Sequence, residues 1–292
     1  MDLTVFIPTR GRTGIEHITL NEIKKFSNRR AVVVCPQNEV SHYRNNMMDH
    51  QRQYEVMPCD KEGIGPTRQW IIENSPTRGV VMLDDDMYFS HRPVPEQPRP
   101  LERVTTLEPM FEWISEQFDA GFPHGGISAR QGNQHIERPW ADCIRVNNAH
   151  FFDRDVFMAE GIRFDALPVM EDFHVTLSLL LKGYPNRVAY HYCWSQRGSG
   201  FRGGCSLYRT DAVQAQAAEA LHAAFPNYVK VVEKESDSQH GAMAKRKDVN
   251  IGWLKAWADR SNKTALPFAF HNDDGFTIKF MYQPAVPDLR RR

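Results

Sequence analysis

The sequence predicts an α/β fold built on a mostly parallel sheet with helices on its faces. Three observations predict it. Short β-branched apolar runs at residues 3–7, 31–35, 54–57 and 80–83 alternate with helix-spaced stretches. The connections between them are short, which implies parallel βαβ units. Each run stops at a proline or an aspartate, residues that punctuate strands. In such sheets ligands lie beyond the carboxyl ends of the strands.

The elements follow in order. Residues 3–7 end in a turn of Pro8, Thr9, Arg10, Gly11 and Arg12. Residues 16–27 carry Ile18, Leu20, Ile23 and Phe26 at mixed helical spacing. Residues 31–35 form a second buried strand closed by Pro36, and 39–51 read as a polar helix. After the short strand at 54–57, Cys59, Asp60, Gly63, Gly65 and Pro66 make a turn that opens a helix to about Glu73. Residues 80–83 are apolar throughout and run straight into Asp84, Asp85 and Asp86. That is the pattern of a strand buried on both faces, with its acids where it leaves the core.

Four prolines, Pro93, Pro95, Pro98 and Pro100, make 91–100 an extended connector. Residues 107–120 form an amphipathic helix with Met110, Phe111, Ile114 and Phe118 on one face. Strands are expected at 125–130 and within 141–152, then a helix with an acidic cap at Asp153. A strongly apolar helix opens at Met170, Glu171 and Asp172 and ends at Gly183. Residues 187–192 are strand-like, and 196–204 form a glycine-rich loop with Arg197 and Arg202. Beyond it come an alanine-rich helix at 211–225, a charged surface segment at 233–247, a strand and helix within 248–258, and a frayed tail. These divide the chain into a core at 1–205 and a helical extension at 206–292 packed on it. Within the core, a donor half spans about 1–90 and an acceptor half about 101–205.

Lys plus Arg and Asp plus Glu each number 36, so formal charge cancels and any nucleic-acid partner needs a local basic patch. The five cysteines are scattered without CxxC spacing, which argues against a structural zinc site or disulfide framework and for a reducing, cytoplasmic compartment. No signal peptide or membrane-spanning run is evident, so no membrane partner is expected.

Five groups carry chemistry. Three adjacent carboxylates, Asp84 to Asp86, repel one another and gain most from a hard divalent cation, Mn²⁺ or Mg²⁺, which also holds substrate phosphates. Arg10 and Arg12 in the first turn suit phosphate, ribose or base. The Gly63–Gly65 turn precedes Arg68, with a spacing that fits neither a P-loop nor a dinucleotide fingerprint. Glu171 and Asp172 open a helix, where acids also suit the macrodipole. The loop arginines, with Trp194 before them, suit a flap over phosphates.

In the order and spacing of these motifs, the chain resembles the GT-A (Rossmann-like) nucleotide-sugar glycosyltransferases, whose metal site is an Asp-any-Asp (DXD) motif at a strand end. The resemblance covers about residues 1–205. It implies that Asp86 ligates the metal, Asp84 faces the ribose or a metal-bound water, and Asp85 is the variable middle position. It places Pro8, Thr9, Arg10 and Arg12 at the nucleoside, and Asp60, Gly65 and Arg68 toward the donor. It makes Asp172 the general base with Glu171 beside it, and His191 a late metal ligand. The donor implied is a nucleoside-diphosphate sugar, UDP-linked. Small size and lack of targeting further resemble phage enzymes, including the TET-associated type, that glycosylate hydroxymethylated pyrimidines in double-stranded DNA of the host cytoplasm. Basic residues available to DNA are Arg197, Arg202, Arg209, Lys245, Arg246, Lys247 and Arg290 to Arg292. A glycan or protein acceptor, a nucleotidyltransferase-like enzyme and a silent binding module stay open.

Overall fold

A ten-stranded sheet carries the chain, in a computed structural model that describes residues 1–14, 17–45, 54–130, 136–196, 209–236, 244–261, 270–271 and 277–278. Strands β1 (Leu3–Pro8), β2 (Ala31–Cys35), β3 (Tyr54–Pro58) and β4 (Gly79–Leu83) lie parallel in the order β3-β2-β1-β4. Helices α1 (Ile18–Phe26), α2 (Val40–Asn45) and α3 (Ile64–Asn74) lie in the crossovers. β2 and β4 are buried along their whole length. Val5, Val33 and Val81 face a core shared with Leu20 and Ile23 of α1. Phe6, Val32 and Val80 face the opposite core, shared with Ile71 and Ile72 of α3. The two-residue period of a strand makes this split, and each such side chain contributes about 1.5–3 kcal/mol by leaving water.

Beyond β4 the sheet becomes mixed. It gains β5 (Met87–His91), β6 (Glu102–Arg103), β7 (His124–Ala129), β8 (Trp140–Asp142), β9 (Ala149–Asp153) and β10 (Asn186–Gln196). The order continues β4-β9-β7-β10-β5-β6, with β8 also on β10. β9 is antiparallel to β4 and β7, and β10 is parallel to β7, so β10 points the same way as β4. A register shift between Ala189 and Cys193 bends β10, and its last residues pair with β5. Helix α4 (Glu108–Asp119) covers this half with Met110, Phe111 and Ile114.

Several elements depart from expectation. The polar helix at 39–51 is a 3₁₀ turn, Gln37–Glu39, followed by α2, and 46–53 lie outside the described residues. The strand expected within 141–152 is two, β8 and β9, parted by Asn148 at φ 59°. The acidic cap holds: Asp153 Oδ1 accepts from the Asp155 backbone N–H at 3.1 Å and opens α5 (Arg154–Ala159). Helix α6 (Glu171–Leu181) ends before Gly183 at φ 94°.

The C-terminal segment is more than helical. Between α7 (Asp211–Ala224) and α8 (Trp253–Ala258) the charged stretch forms an antiparallel pair, β11 (Val229–Ser236) and β12 (Ala244–Ile251). Glu233 stands opposite Lys247, and opposite charges across a strand pair stabilise it. Lys234 and Arg246 also stand opposite each other, and both reach Asp248, at 3.2 and 3.5 Å. The segment packs on α6 through Phe173, Leu177, Ala218, Leu221, Val229, Val249 and Ala256. Among the described residues no helix is long and apolar enough to cross a membrane.

Candidate active site

The parallel strands β1 to β4 and the end of β10 deliver their carboxyl termini to one edge of the sheet. Thr9, Asp84 and Gln196 lie there, and Asn148 joins them because it precedes the antiparallel β9. The turn after β4 is anchored through its backbone. Thr19, in the first turn of α1, donates through its hydroxyl to the Asp84 carbonyl and accepts from the Met87 N–H at 2.8 Å. Its own N–H donates to the Asp85 carbonyl at 3.2 Å. The three carboxylates are thus aimed by a backbone held elsewhere.

Each carboxylate has different partners. Asp85 accepts from Thr9 Oγ1 at 2.6 Å and pairs with Arg12 Nε at 3.3 Å. The single Thr9 hydroxyl proton goes to Asp85, so Tyr43 donates to Thr9 Oγ1 at 3.2 Å. Asp86 accepts from Gln196 Nε2 at 2.7 Å and from Arg12 Nη2 at 3.3 Å. Asp84 accepts from Arg68 Nη2 and Asn148 Nδ2, both at 2.8 Å. Side-chain exposure is 24% for Asp84 and 21% for Asp86 but 10% for Asp85. The outer two face solvent, while the middle one ties the first turn to the triplet. Gly11 is held from the other side, its N–H donating to both carboxylate oxygens of Glu39 at 2.9 and 3.1 Å.

Arg68 joins the triplet to α6. Its Nη1 donates to Glu171 Oε1 at 2.6 Å while Nη2 holds Asp84. Met170, just before the helix, adopts φ 64°, which is uncommon for a bulky residue, and turns Glu171 and Asp172 into this edge. Arg145 lies over the Phe173 ring, 4.4 Å from its centroid, beside Asp172.

Burial raises the acid side chains. It pushes Asp85 up to about 6, against the opposing pull of Arg12 and Thr9. Asp84 is raised by burial despite Arg68. Glu171 is raised by burial against Arg68, with Asp172 and Asp84 adding to the rise. Asp172 is raised by burial, opposed by Arg145 and Arg68.

This charge balance bears on a metal. Five carboxylates, from Asp84, Asp85, Asp86, Glu171 and Asp172, meet three guanidinium groups, from Arg12, Arg68 and Arg145. A divalent cation would make up the difference. No group of three His, Cys, Asp or Glu side chains converges among the described residues. Mg²⁺ and Mn²⁺ take oxygen ligands and are commonly held through one or two carboxylates plus substrate phosphates. Asp86 and Asp84 fit that role by exposure and by their hard oxygen donors.

Several expected residues stand elsewhere. His191 is not brought to the triplet. Register puts Gln196, not His191, opposite Met87, and His191 Nδ1 lies 2.9 Å from the Pro139 carbonyl with its ring against Trp113. Trp194 is a core residue, not an acceptor contact, and its Nε1 donates to the Ile127 carbonyl at 2.9 Å. Gly65 is required by packing: a Cβ there would lie 2.6 Å from the Phe164 carbonyl oxygen. Asp60 caps the 3₁₀ turn, accepting from the Gln37 N–H at 2.9 Å. Arg68, expected toward the donor, is 4% exposed and spans two carboxylates. Pro8 ends β1, and Arg10 is half-buried in the turn after it. Arg197 and Arg202 lie outside the described residues, as do Arg290 to Arg292. Arg209 donates to Gln214 Oε1 at 3.0 Å, and Lys247 pairs with Glu219 at 2.7 Å.

Sequence reasoning missed Asn148, Gln196, Tyr43 and Arg145. The one signal for Asn148 was the Asn147-Asn148 pair before a strand, since Asn tolerates left-handed backbone. The other three depend on pairings between distant segments.

The fold is similar to that of S. aureus TarS 1-349. Against its complex with UDP-GlcNAc the TM-score is 0.50 at 12% identity, covering 76% of this chain and 67% of that one. Against its complex with UDP the TM-score is 0.50 at 14% identity, covering 78% and 66%. The chain therefore spans about two thirds of the TarS fragment, and the likeness bears on fold alone, the GT-A fold that the motifs implied. Comparison with curated proteins finds no match. The family model described as TET-Associated Glycosyltransferase matches residues 3–204, from the first strand to the glycine-rich loop, and the chain belongs to that family.

Proposed function

We propose that this protein is a metal-dependent glycosyltransferase that moves a sugar from a UDP-linked donor to an acceptor hydroxyl, with 5-hydroxymethylpyrimidine in DNA as the acceptor. One observation carries the reading. Acids and arginines from the turns after β1 and β4, from α3 and from α6 converge on one sheet edge, and the chain belongs to a glycosyltransferase family. The UDP-bound relatives in fold support the donor class.

Asp86, with Asp84 beside it, would hold Mn²⁺ or Mg²⁺. When bound, such an ion neutralises the diphosphate leaving group. Arg12, paired with Asp85 and Asp86 at the same edge, would grip the donor phosphates. Thr9 keeps the first turn against the triplet, where the nucleoside docks. Asp172 takes the acceptor hydroxyl proton as the oxygen attacks the anomeric carbon and the bond from that carbon to the UDP oxygen breaks. Burial raises the Asp172 pKa against Arg145 and Arg68, which makes its carboxylate the stronger base. Glu171 is held by Arg68 and is less free to act.

The test is direct. The protein is incubated with UDP-sugars, Mn²⁺ and hydroxymethylated duplex DNA, and the DNA is digested to nucleosides for mass measurement. The expected product is a hydroxymethylpyrimidine nucleoside heavier by one sugar. Transfer to a glycan or protein in place of DNA would overturn the acceptor assignment.

A further inference from the structure

We propose that Arg68 is a positioning residue, a strut that fixes the first turn of α6 at a set distance from the turn after β4. One guanidinium spans Asp84 at 2.8 Å and Glu171 at 2.6 Å. These partners lie 16 and 103 residues away in the sequence, and the contact adds a polar tie at the sheet edge to the core that α6 already shares with α3 and β4 through Val175, Leu179, Ile71 and Val80. The inference rests on the glycosyl-transfer reading of the same site.

Both ends of the strut are firm. Asp84 is held by Asn148 through its side chain and by Thr19 through its carbonyl. Glu171 follows Met170, whose left-handed backbone persists only where its surroundings over-determine it. Met170 is buried in the cluster with Phe173, Leu177 and Leu221. The strut itself stands on α3, which packs closely on residues 164–167 at Gly65 and accepts the Phe164 N–H through Gln69 at 2.9 Å. Asp172 is the next residue after Glu171, so the backbone that carries it is located by this chain of contacts.

The geometry selects arginine. A planar fork reaches two carboxylates at once, whereas lysine is a single point charge on a flexible stem. Arg68→Lys preserves the charge and loses the span. A general base displaced by about 1 Å loses about a hundredfold in rate. Asp84 keeps Asn148 and Thr19 when the span is lost, so the loss falls on Glu171 and, through it, on Asp172: on kcat more than on donor affinity.

Four proteins test this: wild type, Arg68→Lys, Glu171→Gln and Glu171→Ala. Calorimetry measures UDP affinity with Mn²⁺, and sugar transfer to hydroxymethylated duplex DNA measures kcat. Arg68→Lys is expected to keep the UDP affinity of wild type and to lose about a hundredfold in kcat. Glu171→Gln retains an oxygen to accept from Nη1, so it is expected to retain most of kcat, while Glu171→Ala does not. Weakened UDP binding with kcat intact in Arg68→Lys would assign Arg68 to the donor and overturn the proposal. Equal inactivity of Glu171→Gln and Glu171→Ala would make Glu171 itself the reacting group and overturn it as well. A wild type that transfers no sugar removes the glycosyl-transfer reading and the strut's role with it. An active wild type with an unaltered Arg68→Lys removes the strut alone.

Discussion

Asp86→Ala separates chemistry from folding at a single residue. The turn that carries Asp86 is held through Thr19 and Asn148, not through the Asp86 side chain. The variant is therefore expected to keep its melting temperature and to lose at least about a hundredfold in transfer. Undiminished turnover would refute the metal role. Asp85 behaves differently. Burial raises it to about 6, whereas unfolded carboxyls titrate near ~4. A folded-state pKa above the unfolded one means that the native chain holds the proton more tightly. That stabilisation is full below the unfolded pKa and is lost as pH rises through the folded one. Asp85→Asn removes this loss, so metal-free variant and wild type should diverge in melting temperature between about pH 4 and 6, the variant being the more stable above it. Parallel melting curves across that window would show that Asp85 does not titrate there. The identities of these acids were legible because an apolar run ending in three aspartates is a local pattern. Their division of labour was not. Asp85, the variable middle position that the resemblance implies, is pinned by Thr9 from the first turn, a partner 76 residues away.

At the level of elements, helix α3 and the strand pair β4-β9 place the site. Gly65→Ala puts a Cβ 2.6 Å from the Phe164 carbonyl oxygen and 3.2 Å from that of Leu167. Backbone atoms cannot swing aside, so α3 must move, at a cost of about 1–3 kcal/mol. Thermal unfolding should show the loss, and an unchanged melting temperature would mean that the helix relaxes freely. Asn148 allows a finer dissection. Asn148→Gly keeps the φ of 59° and loses the bond to Asp84, while Asn148→Ala loses both and should be less stable by about a further 1 kcal/mol. The parallel elements were legible because buried strands read as unbroken apolar runs. β5 was not, since Met87 and Phe89 point inward from a segment of only five residues that begins at an acidic turn. The β11-β12 pair was hidden for another reason: its outer half is held by charge pairs, which a reading by hydropathy assigns to solvent. His191 and Trp194 were misread together. Both lie on β10, where alternation, the bend and the pairing with β5 decide which side chains reach the edge, and Gln196 is the one that does.

For the whole molecule, the formal charge of zero leaves DNA binding to a local surface. The basic residues of the C-terminal segment are weak candidates by geometry. Lys247 is engaged by Glu219, Arg246 by Asp248, and Arg209 by Gln214. Arg145 is a better one. It is exposed, makes no ion pair among the described residues, and lies over Phe173 next to the proposed base. A phosphate beside the acceptor hydroxyl would meet its guanidinium. If duplex DNA is the acceptor, kcat/KM should fall steeply with salt, because each neutralised phosphate contributes about −0.9 to the slope of log affinity against log salt. Arg145→Gln should reduce that slope by about one unit, while Lys247→Gln, already engaged by Glu219, should leave it unchanged. UDP affinity should be the same in both variants, since Arg145 stands at Phe173 and Asp172 and Lys247 at Glu219, and neither bonds to Asp84, Asp85 or Asp86. A rate on DNA that is flat in salt would remove DNA as the acceptor. A steep slope lowered by Lys247→Gln but not by Arg145→Gln would move the duplex from the mouth of the site onto the C-terminal strand pair.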